Sequence, residues 1–131
     1  MIFLITGDIH AHIDTRFNEL NGHYDPIQTA IIVLGDLGAN YYLNKKDKKF
    51  KEQLNNLGYT FYCVHGNHEE RPEKIKGMKL VYDKNGKGMV YFEEEYPNIK
   101  YFKIWGQYTI GYWKTAIIGG ACSVDKQYRI M

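Results

Sequence analysis

Near its start the chain reads Ile2-Phe3-Leu4-Ile5-Thr6-Gly7-Asp8-Ile9-His10, an apolar run followed at once by glycine, a carboxylate and an imidazole. Similar arrangements recur at Ile31-Ile32-Val33-Leu34-Gly35-Asp36-Leu37-Gly38 and at Thr60-Phe61-Tyr62-Cys63-Val64-His65-Gly66-Asn67-His68-Glu69. Continuous apolar runs of this length are typical of strands that are buried on both faces of a sheet. We therefore predict three buried strands, each of which ends in a glycine and a potential ligand.

The polar residues after these strands predict a metal site. Because the carboxyl ends of parallel strands meet at one edge of an open α/β sheet, we expect Asp8, His10, Asp36, Asn67 and His68 to converge there. Oxygen and imidazole donors without thiolate suit manganese, iron(II), zinc or magnesium. A single Gly-Asp pair is usually only a turn, but three such strand ends in order favour a shared site.

The three blocks resemble those of the calcineurin-like metallophosphoesterases, which run GD-x-H, then GD-x-x-D or GD-x-x-G, then GNH-E or GNH-D. In the second block, Gly38-Ala39 replaces the aspartate that often closes it. The later stretch from Ile117 to Lys126 is also similar to a strand and turn of small bacterial and phage members. Two further family blocks, GH and GH-x-H, are not present in the sequence, and its last histidine is His68. The resemblance therefore implies the N-terminal half of the family domain, a single truncated domain over residues 1–131.

The fold class that the resemblance implies is α/β. We expect a partial calcineurin-like sandwich, in which a mixed sheet with covering helices is followed by antiparallel strands.

The resemblance also implies a ligand set for two metals. Asp8 and His10 would hold the first metal together with Asp36, which would bridge to the second metal, where Asn67 would join it. Mn²⁺ is the expected ion, with Fe²⁺, Zn²⁺ or Mg²⁺ as alternatives. Because the chain lacks the later histidines, the second metal site would be incomplete.

Three further residues receive roles next to the metals. By the same resemblance, His68 would be catalytic beside the leaving group, and Glu69 would orient it. Arg71 is near enough in sequence for its planar guanidinium to bind two oxygens of a phosphate. A surface ion pair would explain an arginine at this position equally well.

These roles lead to two functional hypotheses. The first is a metal-dependent hydrolase that attacks a phosphate ester with a metal-activated hydroxide, with the protein serine/threonine phosphatase type as one option. The alternative is a truncated, weakly active or inactive relative that acts as a protein-binding or regulatory module.

A half fold would expose sheet edges and an apolar face, which predicts a homo-oligomer or a protein partner that completes the fold. The net charge of +2 argues against nucleic acid or an anionic membrane as a partner. The sequence has neither a basic leader nor an apolar stretch near 18 residues, so we expect a cytoplasmic protein without a membrane span.

The remaining sequence predicts elements that cover or extend the sheet. Phe17 and Leu20 indicate a short helix, and apolar spacing predicts a second helix over residues 41–57, ended by Gly58 and lined on its outer face by lysines. After Met78, short apolar runs predict antiparallel strands, with the best hairpin signal at Asn85-Gly86.

Overall fold

A mixed six-stranded sheet lies at the centre of the chain, and a two-stranded sheet packs beside it. The computed structural model describes residues 1–7, 15–20, 22–35, 37, 45–66 and 71–120. Its helices are α1 (Thr15–Leu20) and α2 (Lys45–Asn56), with single 3₁₀ turns at Pro26–Gln28 and Pro72–Lys74. Its strands are β1 (Ile2–Thr6), β2 (Thr29–Leu34), β3 (Thr60–Val64), β4 (Lys79–Asp83), β5 (Gly88–Phe92), β6 (Ile99–Phe102), β7 (Trp105–Ile110) and β8 (Trp113–Ile118).

The order of the large sheet is β1-β2-β3-β6-β5-β4. The pairs β1–β2, β2–β3 and β3–β6 are parallel, whereas β5 is antiparallel to both β6 and β4. The carboxyl ends of β1, β2, β3 and β6 therefore lie along one edge. This mixed α/β architecture confirms the expected fold class.

The position of β6 adds to the sequence prediction, which placed this strand only among antiparallel neighbours. It is antiparallel to β5, but its other neighbour is β3, with Phe61 opposite Ile99. A parallel neighbour needs a crossover connection, and here the β4–β5 hairpin lies within it. Because the apolar pattern of one strand does not identify its partner, the sequence could not reveal this pairing.

Two apolar cores cover the two faces of the large sheet. On one face, Phe17 of α1 and the α2 residues Phe50 and Leu54 pack with Ile31 and Phe61. On the other face, the β7–β8 hairpin supplies residues to a second cluster, which contains Ile32, Tyr62, Phe102, Tyr108 and Ile117. Helices therefore cover one face and antiparallel strands the other, as expected for a sandwich.

The inner face of α2 differs from the sequence prediction at Lys51. This lysine was expected on the solvent face, but it is buried, and its Nζ donates to Glu93 Oε1 at 2.6 Å. The same ammonium lies 5.8 Å from the centre of the Tyr96 ring. An anion and an aromatic ring, both distant in sequence, therefore compensate for the burial of this charge.

The outer strand β1 is less buried than predicted. Ile5 is 68% exposed, whereas the first five residues of β2 are all buried. Among the described strands, β1 is an outer strand of the large sheet with β2 as its neighbour, which explains its greater exposure.

The predicted hairpin at Asn85-Gly86 is present between β4 and β5. Its connection spans four residues rather than two, and the left-handed residue is Lys87, with φ 52°. Separately, none of the helices in the described ranges is long and apolar enough to cross a membrane.

Candidate metal centre

Three strand ends define the candidate site. β1 ends at Thr6 before Gly7, β2 ends at Leu34 before Gly35, and β3 ends at Val64, two residues before Gly66. The parallel register pairs Thr6 with Val33 and Leu34 with Val64. The positions from which the three sequence blocks continue therefore lie along one edge of the sheet.

Most of the predicted site residues lie outside the described parts of the chain. These residues are Asp8, His10, Asp36, Asn67, His68 and Glu69. Arg71 is described: it is exposed, and its carbonyl accepts a hydrogen bond from the Lys74 amide at 3.0 Å. The roles of all seven residues remain predictions, while the strand ends that precede the three blocks have been located.

Two glycines at this edge approach each other closely. Gly35 has φ +83°, and a Cβ atom added to it would lie 3.4 Å from Gly66 Cα. Such a left-handed conformation favours glycine, and a Cβ atom on Gly35 would be in ordinary van der Waals contact with the Gly66 backbone. Consequently the segments that continue into Asp36 and Asn67 leave the sheet from adjacent points.

The end of β8 reaches the same edge. The Gly120 amide donates to the carbonyl of His65 at 2.9 Å, and the Gly119 amide donates to the carbonyl of Ile104 at 2.8 Å. Sequence reasoning did not connect these glycines with the third block. The only sequence signal was a Gly-Gly pair after an apolar strand, and it does not identify the contacting residue.

A second polar cluster lies at the end of β4. Asp83 is buried and accepts hydrogen bonds from Tyr62 Oη at 2.6 Å, from Lys100 Nζ at 2.6 Å and from the Gly86 amide at 2.7 Å. Sequence reasoning did not identify this cluster, because its members are far apart in the chain.

The pKa values in the Asp83 cluster are shifted by these contacts. Burial alone would raise the pKa of the Asp83 carboxyl, but hydrogen bonds from Lys100, Tyr62 and the Gly86 amide outweigh it, so that the pKa is lowered. The pKa of Tyr62 is raised, first by burial and then by its hydrogen bond to Asp83. Because both Asp83 oxygens are bonded within the chain, we interpret this cluster as an anchor for the β4–β5 turn.

The predicted donor set fits divalent metals on chemical grounds. Carboxylate, amide and imidazole donors at Asp8, Asp36, Asn67 and His10 suit Mn²⁺ and similar ions. Among the residues that the structure describes, no group of three or more His, Cys, Asp or Glu side chains could hold a metal. The candidate centre is therefore defined by the strand ends and by the ligand types that follow them.

Comparison with known proteins identifies the family. The sequence model of the family described as calcineurin-like phosphoesterase matches residues 1–123, a range that contains all eight strands and all three sequence blocks. Neither the curated proteins nor the solved structures gave a match. The resemblance inferred from the three blocks is thereby confirmed, and the chain belongs to the calcineurin-like phosphoesterase family, whose members bind divalent metals and act on phosphate esters.

Proposed function

We propose that this chain is a metal-dependent phosphoesterase whose metal site is built by Asp8, His10, Asp36 and Asn67. The observation that carries the proposal is the common edge of the three parallel strand ends. The close approach of Gly35 to Gly66 supports it, because the next residue along each segment is a proposed ligand.

We propose Mn²⁺ as the preferred ion, on the basis of the mixed carboxylate, amide and imidazole donors. When bound, divalent ions would neutralise charge on the phosphoryl oxygens and make water a stronger nucleophile at neutral pH. Asp36 would be shared between two ions, whereas Asp8 and His10 would bind one of them and Asn67 the other. Of the four proposed ligands, three would hold the first ion and two the second, with Asp36 shared, so the ion held by Asp36 and Asn67 is expected to dissociate first.

Proton transfer to the leaving group is assigned to His68. Its imidazole would donate a proton to the departing alcohol oxygen, and the Glu69 carboxylate would hold the ring in the required orientation. Arg71 is exposed beside the Pro72–Lys74 turn, and its guanidinium would bind phosphate oxygens through two parallel N–H groups.

We propose a phosphorylated serine or threonine side chain as the substrate. An open cleft of about 650 Å³ is lined by Glu73, just after Arg71, and by Lys103, Ile104 and Trp105 after β6. Because β6 is parallel to β3, this cleft opens near the edge of the sheet that carries the candidate site. An exposed indole and side chains of both charges suit a polypeptide better than a small alcohol.

The cleft gives a test of this substrate class. Trp105→Ala is expected to raise KM about five- to tenfold for a phosphopeptide while leaving hydrolysis of a small aryl phosphate unchanged. Trp113, an exposed tryptophan on the adjacent strand of the hairpin, is not among the cleft residues and provides the matched control Trp113→Ala. Equal effects of the two substitutions on phosphopeptide hydrolysis would contradict the assignment.

We also propose that a second copy of the chain pairs with this one through β4. The residues from Lys79 to Tyr82 are all exposed, and β4 has no outer neighbour among the described strands. Leu80 and Tyr82 lie on the same face of this strand, and their apolar surface favours pairing. Sedimentation should detect a dimer that the double variant Leu80→Lys, Tyr82→Lys converts to monomer, and a monomeric parent protein would refute the pairing.

The central experiment restores Mn²⁺ to metal-free protein and measures hydrolysis of an aryl phosphate. Activity should appear with Mn²⁺ and disappear in Asp36→Asn, because the amide cannot bridge two cations as a carboxylate does. Asp25→Asn is the matched control, since Asp25 is exposed and caps the turn before β2, at the opposite end of that strand. An Asp36→Asn variant with undiminished Mn²⁺-dependent activity would rule out the proposed site.

A further inference from the structure

The connection after β8 contacts the chain directly before the third sequence block. Gly119 and Gly120 follow Ile118, the last residue of β8. Their amides donate to Ile104 and His65 carbonyls at 2.8 and 2.9 Å, respectively. The first bond continues the β7–β8 ladder, in which Trp105 lies opposite Ile118, and the second joins the end of the small sheet to the chain just after β3.

The first of these glycines fits only because it has no side chain. A Cβ atom added to Gly119 would lie 2.9 Å from the His65 carbonyl oxygen, 3.1 Å from its amide nitrogen and 3.2 Å from its Cβ. Two of these three atoms belong to the backbone, so rotation of a side chain would not relieve the contact. Any larger residue at position 119 must therefore displace the segment at His65.

The displaced segment continues into the candidate metal centre. His65 precedes Gly66, whose Cα is 3.4 Å from the position of a Cβ on Gly35. Backbone contacts thus run from Gly119 to His65, where the packing is tight, and from Gly66 to Gly35, where it is ordinary van der Waals contact. The residues after Gly35 and Gly66 are Asp36 and Asn67, the two proposed ligands of one metal ion.

We propose that Gly119 and Gly120 form a positioning segment for the metal centre. They hold the backbone at His65 and Gly66, and thereby set the separation of the segments that carry Asp36 and Asn67. This inference rests on the proposed function. The two glycines have no side-chain donor, so their contribution is to the geometry of the ligands and not to the chemistry of the reaction.

The first test compares two glycine substitutions in the full chain. Gly119→Ala should weaken Mn²⁺ binding about 10- to 100-fold, the usual cost of disturbing groups that orient metal ligands. Gly88→Ala is the matched control, because its added Cβ would lie 2.5 Å from Tyr108 Cδ1 and 2.8 Å from the Gln107 carbonyl oxygen. It should lower thermal stability while leaving the Mn²⁺ dissociation constant of the folded protein within about twofold.

The second test uses the unaltered chain and so does not depend on the folding of a variant. If residues 119–120 position the site, metal binding must in turn stabilise their hydrogen bonds, because coupling between sites is reciprocal. Zn²⁺, a diamagnetic substitute for Mn²⁺, should slow hydrogen exchange at the Gly120 amide. The Thr109 amide, which donates to the Gly86 carbonyl at 2.8 Å, is the reference and should show no slowing.

The outcomes separate this inference from the proposed function. If the unaltered chain binds Mn²⁺ and Gly119→Ala binds it equally well, the positioning role is overturned and the phosphoesterase proposal stands. The positioning role is also overturned if Gly119→Ala and Gly88→Ala weaken Mn²⁺ binding equally. The same holds if hydrogen exchange at the Gly120 amide is unchanged when Zn²⁺ binds. If the unaltered chain binds neither ion, the proposed function fails, and this inference fails with it.

Discussion

The sheet carries two contrasting polar regions, the candidate metal centre at the ends of β1–β3 and the Asp83 cluster at the end of β4. At the candidate centre, two backbone segments lie side by side, and a Cβ atom added to Gly35 would lie 3.4 Å from Gly66 Cα. In the Asp83 cluster, a carboxylate, an ammonium and a phenol bind one another. In this protein, the lowered pKa of Asp83 therefore belongs to a structural cluster whose hydrogen bonds are all made within the chain. The candidate site is instead marked by contacts between backbone segments at glycines.

The largest expected effect that tests this contrast is on catalysis at the candidate centre. His68→Gln should lower kcat by about 10²–10³, because a positioned general acid contributes on this scale. Metal content should be unchanged, since His68 is not a proposed ligand, and kcat is the quantity to measure. His23→Gln changes an exposed histidine before β2 and serves as the control; loss of metal in His68→Gln would contradict the division of roles.

The next effect is on stability and belongs to the other region. Asp83→Asn should lower the free energy of unfolding by about 2–4 kcal/mol, because Lys100 and Tyr62 lose a charged acceptor in a buried position. Urea unfolding measures the loss. Assays under conditions where the variant is folded should show unchanged kcat, and a large catalytic defect there would remove the distinction between the two regions.

A smaller effect concerns the pH dependence of that stability. The pKa of Asp83 is lower in the folded protein than in the unfolded chain, so its contribution is present above the unfolded pKa, about 3.9. The contribution is lost as the pH falls from there through the folded pKa. Unfolding measured from pH 6 downward should therefore show the parent protein and Asp83→Asn converging below about pH 4, and a constant difference would refute this coupling.

The smallest effect distinguishes two lysines of α2. Lys51→Met should cost about 1 kcal/mol, because the bond from Nζ to Glu93 is lost while most of the apolar stem is retained. Lys48 is exposed, and Lys48→Met should change stability by less than about 0.5 kcal/mol. Thermal unfolding of both variants gives the comparison, and equal shifts would mean that the buried ion pair contributes nothing.

Much of the fold could be predicted from local patterns. The strand from Ile2 to Thr6 was predicted with the observed bounds, and Gly58, with φ +87°, follows the end of α2 as expected. The parallel contact of β6 with β3 could not be predicted, because it depends on residues far apart in sequence. The burial of Lys51 was missed for the same reason, since its partner Glu93 lies on another segment.

For the candidate site, the common edge of the strand ends could be predicted, whereas the roles of the ligand residues stay predictions. Glycine and ligand types after three strands indicated a common edge, and the strand register confirms that edge. The contact of Gly119 with His65 could not be inferred, because a Gly-Gly pair gives no information about what approaches it.

The placement of β6 between β3 and β5 has a consequence for the order of folding. Asn98, just before β6, and Asn55 of α2 form two hydrogen bonds, both of 3.0 Å. The two strands that flank β6 in the sheet, β3 and β5, are synthesised before it. During translation, the strands up to Val64 and the local β4–β5 hairpin can form early, but they join into one sheet only when residues 99–102 emerge from the ribosome. We therefore expect chains arrested before Ile99 to aggregate through the exposed edge of β3, and chains that extend through β8 to become resistant to protease.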